Sequence, residues 1–93
     1  MSKECITIIA QGKVQGVGFR VAIQNIANSL GITGNVQNLN DGSVKITAQG
    51  NDKKIQKLLK LIKNNPTPFC KVTKLLINSN EKSHHYSDFK IKI

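Results

Sequence analysis

Apolar and polar positions along the chain follow two periods, and the switches between them mark the elements. Residues 4–11 (ECITIIAQ) are dense in β-branched side chains, which predicts a strand buried on both faces or nearly so. Over residues 21–30 the period lengthens. Ala22, Ile23, Ile26, Ala27 and Leu30 fall on one helical stripe, opposite Gln24, Asn25, Asn28 and Ser29. Gly31 then stands where a helix stop is expected. Residues 32–38 and 43–49 read as strands, and Asn40-Asp41-Gly42 between them is a turn signal, so the pair predicts a hairpin. Gly50-Asn51-Asp52 breaks the pattern and offers Asp52 as an N-cap. A helix over 53–64 follows, with Ile55, Leu58, Leu59 and Ile62 on one face and lysines on the other. Residues 64–68 are a loop on their asparagine and proline content. Residues 71–77 (KVTKLLI) predict a fourth strand and 78–85 a mobile polar loop. Phe89, Ile91 and Ile93, alternating with Lys90 and Lys92, predict a short last strand.

The order is strand, helix, strand, strand, helix, strand, with a short fifth strand at the C-terminus. Each helix has one apolar face, so both should pack on one side of an antiparallel sheet. That is an α+β, ferredoxin-like βαββαβ sandwich. At 93 residues the chain is expected to form one domain over 1–93, with no linker and no internal repeat. Phe19, Phe69, Phe89 and Tyr86 are the only aromatics, so the core is expected to be aliphatic and ligand stacking is not expected.

Cys5 and Cys70 are too few and too far apart for a zinc site or a redox pair. The expected topology puts them at opposite ends of neighbouring strands. A six-residue strand spans roughly 20 Å, whereas a disulfide allows a Cα separation of about 7 Å at most. Reduced cysteines in a cytoplasmic protein are expected. No signal peptide or membrane span is visible, because the apolar run at 5–10 is short and broken by Thr7.

The net charge of +9 changes the picture only in part. Lysines are spread from Lys3 to Lys92, with one dense group, Lys53, Lys54, Lys57, Lys60 and Lys63, on the second helix. This reads as a solvated basic surface that steers small phosphorylated substrates towards the protein, rather than as a nucleic-acid footprint.

The chemistry concentrates in residues 12–20, GKVQGVGFR. Three glycines fall within seven residues, after a strand and before a helix. Glycine adopts positive φ without steric cost, so such a turn curls successive N–H groups around one point suited to an anion. The helix that follows adds free N–H groups and the positive end of its dipole. Arg20 is the only arginine among the 14 basic residues, and its planar fork matches phosphate or carboxylate oxygens as a lysine does not. A helix start is the wrong end for a cation unless an anion lies between.

The segment GKVQGVGFR resembles the signature of the acylphosphatase family, and residues 34–44 (GNVQNLNDGSV) resemble its second signature. The similarity runs from about Cys5 to the C-terminus. It implies the same ferredoxin-like fold and hydrolysis of acyl phosphates to a carboxylate and inorganic phosphate, the latter serving as product and inhibitor. It also implies a phosphate cradle formed by Gln15, Gly16, Val17, Gly18, Phe19 and Arg20, with Arg20 gripping the phosphate and Asn38 orienting the attacking water. An acyl phosphate is already activated, so positioning and electrostatics suffice and no metal or cofactor is expected. Asn38, whose amide accepts and donates but is no base at neutral pH, leaves the proton to the substrate's own phosphate. Asp41 and Gly42 read as turn-makers. Asn35 stands where the family commonly has an aromatic, Lys45 where an acid is usual and Ile23 where a threonine is frequent.

Other motifs fail. Residues 12–18 lack the Gly-Lys-Ser/Thr end of a P-loop and the third glycine of a dinucleotide fingerprint. His84 and His85, adjacent and without patterned partners, read as a loop pair rather than a metal site. An RNA-binding domain shares the βαββαβ order, but its third strand carries stacking aromatics, and SVKITAQ has none. The large carbamoyltransferases of hydrogenase maturation begin with a domain that resembles this chain, which brings in carbamoyl phosphate as an alternative substrate. A chain of 93 residues beginning at methionine is expected to be free-standing and monomeric.

Overall fold

The computed structural model describes residues 3–79 and 86–92. His84 and His85, and most of the loop expected at 78–85, lie outside the described residues. The elements run β1 (Lys3–Lys13), α1 (Phe19–Leu30), β2 (Thr33–Asn38), β3 (Val44–Asn51), α2 (Asp52–Lys63), β4 (Lys71–Ser79) and β5 (Phe89–Lys92).

The strands form one sheet in the order β4-β1-β3-β2-β5. The first four are antiparallel, as expected, but β5 pairs parallel to β2, with Phe89 opposite Gly34 and Ile91 opposite Val36. Register explains this. Ser79, where β4 ends, lies opposite Ile6, and Thr33, where β2 begins, shares Gln49 with Cys5. The chain therefore leaves β4 at the end of the sheet where β2 starts, and a last strand entering there runs alongside β2.

Both helices cover one face. Ile23 and Ala27 of α1 and Ile55, Leu58 and Ile62 of α2 join Ile6, Ile8, Ala10, Val36, Val44, Ile46 and Ala48 in one buried cluster. Among the described residues, the other face carries no helix. There Cys5 is buried while Thr7, Ile9 and Gln11 are half-buried, so β1 is fully covered on one face and partly on the other.

Two helix boundaries differ from the sequence reading. The cap of α2 is Asn51, whose Oδ1 accepts from the Lys54 N–H at 3.0 Å. Asp52 is instead the first helical residue, where its charge complements the dipole. Helix α1 begins at Phe19, two residues earlier than the periodicity suggests. Phe19 and Ile23 are fully buried, and burial of side chains of this size is worth about 1.5–3 kcal/mol each. They anchor the turn that carries Arg20. Cys5 and Cys70 are both buried and neither is in a disulfide, and they lie at opposite ends of the β1·β4 pair.

Candidate active site

The segment between β1 and α1 is built on alternating backbone conformations. Gly16 and Gly18 have φ of 73° and 75°, while Gln15, Val17 and Phe19 are not among the residues with positive φ. Such alternation turns consecutive N–H groups inward to form an anion nest. A Cβ at Gly16 or Gly18 would meet nothing within 4 Å, so backbone conformation rather than crowding calls for glycine.

Gly18 is also the N-cap of α1, and no side chain caps that helix or places an acid in its first turn. Among the described residues, the N–H groups of residues 16–20 form no hydrogen bond with another part of the chain. The donors that an anion requires are therefore unspent, and they sit at the positive end of the dipole. Arg20 lies half-buried in that first turn, with no ion pair among the described residues.

Asn38 ends β2, paired with Val44. Its position alternates with Gln37 and matches Val36, placing it on the helix-covered face. Its Oδ1 is buried and has no hydrogen-bond partner, and it is the one such side-chain atom among the described residues. A buried acceptor without a donor is costly, and the cost is removed when a water or ligand donates to it.

Gln15 joins these two parts. Its Nε2 donates to the carbonyls of Leu39 at 2.8 Å and Ser43 at 2.9 Å, which tie the glycine segment to the hairpin carrying Asn38. The Gln15 side chain is thus spent on the hairpin, and its backbone N–H remains the group available to the cradle. The hairpin is also braced internally. Asp41 accepts from the Ser43 hydroxyl at 2.5 Å and the Ser43 N–H at 3.0 Å. These bonds, the hydroxyl first, hold the Asp41 carboxyl below its ordinary range. Asp41 acts as a turn-maker, as its sequence context suggests.

One contributor was not visible in the sequence. Thr67, in the loop after α2, donates from Oγ1 to the Val17 carbonyl at 3.3 Å and accepts from the Cys70 N–H at 3.1 Å. It buttresses the cradle from 50 residues away, and no local motif signals that contact. Among the described residues, no group of three His, Cys, Asp or Glu side chains is placed to hold a metal, and no helix is long and apolar enough to cross a membrane.

Comparison with known proteins agrees with this fold. The acylphosphatase family pattern matches residues 6–91. An acylphosphatase of Lactiplantibacillus plantarum is 43% identical over 86 residues, covering 92% of this chain and 94% of that protein. The crystal structure of acylphosphatase from Bacillus subtilis superposes with a TM-score of 0.92 at 34% identity, covering 97% of this chain and 99% of that one. Full-length HypF, in its phosphate- and nucleotide-bound form, matches with a TM-score of 0.91 at 32% identity over 98% of this chain but only 12% of its own. Fold and near full-length similarity agree: the chain belongs to the acylphosphatase family.

Proposed function

We propose that this protein is an acylphosphatase in which residues 15–20 hold the substrate phosphate and Asn38 aims the attacking water. The N–H groups of the cradle and the Arg20 guanidinium bind the dianion. The same donors stabilise charge on the equatorial oxygens as the phosphorus–oxygen bond to the acyl group lengthens, without reorganising. Water attacks phosphorus, the carboxylate leaves with the bonding electrons, and the proton lost by the water passes to a phosphate oxygen. The products are a carboxylate and dihydrogen phosphate. Residues 1–93 serve as one domain for this purpose, with a small acyl phosphate as substrate and inorganic phosphate as product and inhibitor.

The observation that carries the reading is the unpartnered Oδ1 of Asn38 on a hairpin clamped to an open N–H cradle. The test is hydrolysis of benzoyl phosphate, with carbamoyl phosphate run beside it, by wild type, Arg20→Ala and Asn38→Ala. Each substitution should lower kcat/KM by at least about 10²-fold, the scale of losing one preorganised donor. Inorganic phosphate should cease to inhibit the Arg20 variant. Near wild-type turnover by a folded variant removes that residue from its role.

A further inference from the structure

A second surface, separate from the cradle, lies where α2 overhangs β4. Among the described residues, strand β4 pairs with β1 on one side and is an edge of the sheet; the Val72 N–H donates to Oδ1 of Asn65 at 2.8 Å, and beyond it the outer row of N–H and C=O groups faces no other strand. Natural edges are usually blunted by charge along their length. Here Lys71 and Lys74 guard one end, while residues 75–79 (LLINS) carry no charge. Leu76 is 39% exposed and Ile77 46% exposed, large values for such side chains within a strand. Ile77 and Leu59 floor a groove of about 750 Å³ between β4 and α2, and Lys57, Lys60 and Lys63 form its rim with Gln56. The acid of α2, Asp52, lies in the first turn, away from that rim. Among the described residues, none of the rim lysines is in an ion pair.

We propose that this groove and edge bind an extended peptide segment in which acidic and apolar side chains alternate, added to the sheet as a strand beside β4. Main-chain hydrogen bonds to the free edge supply the pairing. Successive side chains of the added strand face opposite sides of the sheet, so carboxylates on the α2 side meet the lysine rim while the alternate apolar side chains cover Leu76 on the open face. The long lysine side chains reach over the apolar floor while keeping their charges at the mouth. A single-stranded nucleic acid satisfies the charge but not the surface. Neither α2 nor β4 offers an aromatic for base stacking, and a strand edge has no use for a phosphate backbone.

The test is a titration of the ¹⁵N-labelled full chain with an end-blocked decapeptide alternating glutamate and valine. Resonances of α2 and β4 should shift, and amide exchange along β4 should slow. The double variant Lys60→Glu, Lys63→Glu should bind about tenfold more weakly, because each reversal replaces attraction by repulsion, with kcat for benzoyl phosphate unchanged. A glutamate–proline peptide of equal charge, which lacks half the N–H groups, should also bind at least about tenfold more weakly. Equal binding by the proline peptide, equal binding by an oligothymidylate at the same face, shifts confined to residues 15–20, or no shifts at all would each overturn the proposal.

Discussion

Gln15 offers a test of how the hairpin and cradle are held together. Gln15→Ala removes two half-buried neutral hydrogen bonds, to the carbonyls of Leu39 and Ser43. Neither carbonyl is orphaned, because Leu39 O still accepts from the Gly42 N–H at 3.2 Å and Ser43 O from the Leu39 N–H at 2.8 Å. With no desolvated group stranded, the loss is two ordinary net bonds, about 1–2 kcal/mol in all. Urea denaturation should show a lower midpoint at unchanged slope. Hydrolysis of benzoyl phosphate should fall at least about tenfold, since small misplacements of a positioned water are expensive. The Gln15 N–H survives in the variant, so phosphate inhibition should change less than turnover. If the side chain acts by placing Asn38, its removal should cost little further activity in an Asn38→Ala background. Gln15→Glu sharpens the test by setting a carboxylate against two carbonyl oxygens, which raises its pKa in the folded protein. It should be less stable than Gln15→Ala at neutral pH, and the gap should close as pH falls through that raised value and the protonated acid regains one donor. The reasoning fails if Gln15→Ala lies within about 0.3 kcal/mol of wild type, well below the loss of even one typical bond. It fails equally if the rate losses of the two substitutions simply multiply.

Gly18→Ala should destabilise the fold by about 1–2 kcal/mol, read by the same denaturation, because alanine is strained at the left-handed φ of 75° although nothing crowds its Cβ. Asp41 predicts an acid limb. Its folded-state pKa is depressed by Ser43, so its stabilisation is present in full above the unfolded value, about 3.9, and is lost as pH falls through the lower folded value. The stability difference between wild type and Asp41→Ala measured at neutral pH should therefore shrink in that acid window.

Much of the fold was legible because apolar periodicity is local. The stripe at Ile23, Ala27 and Leu30 and the alternation at 43–49 each need only their own neighbours to be read. The boundaries were less legible. Asn51 and Asp52 are adjacent cap-forming residues, and which one caps depends on where the extended backbone of β3 stops: Asn51 is still extended, with φ −75° and ψ 162°, and Asp52 is helical. The start of α1 carries no polar cap residue, since Gly18 is the cap and the free N–H groups are left open. The pairing of β5 with β2 and the reach of Thr67 to Val17 depend on the assembled sheet, and nothing near those residues announces them. Residue type and spacing suggested Arg20 and the glycines, whereas Asn38 resembles an ordinary turn asparagine. Its unpartnered Oδ1 emerges only once β2 and its cover are in place.

Crystals soaked in phosphate or sulfate test the central claim most directly. A tetrahedral anion should lie within hydrogen-bonding distance of the N–H groups of residues 16–20 and of the Arg20 guanidinium, with a water molecule donating to Oδ1 of Asn38. An empty cradle at saturating anion, with Arg20 turned to solvent and Asn38 bonded to protein instead, would contradict it.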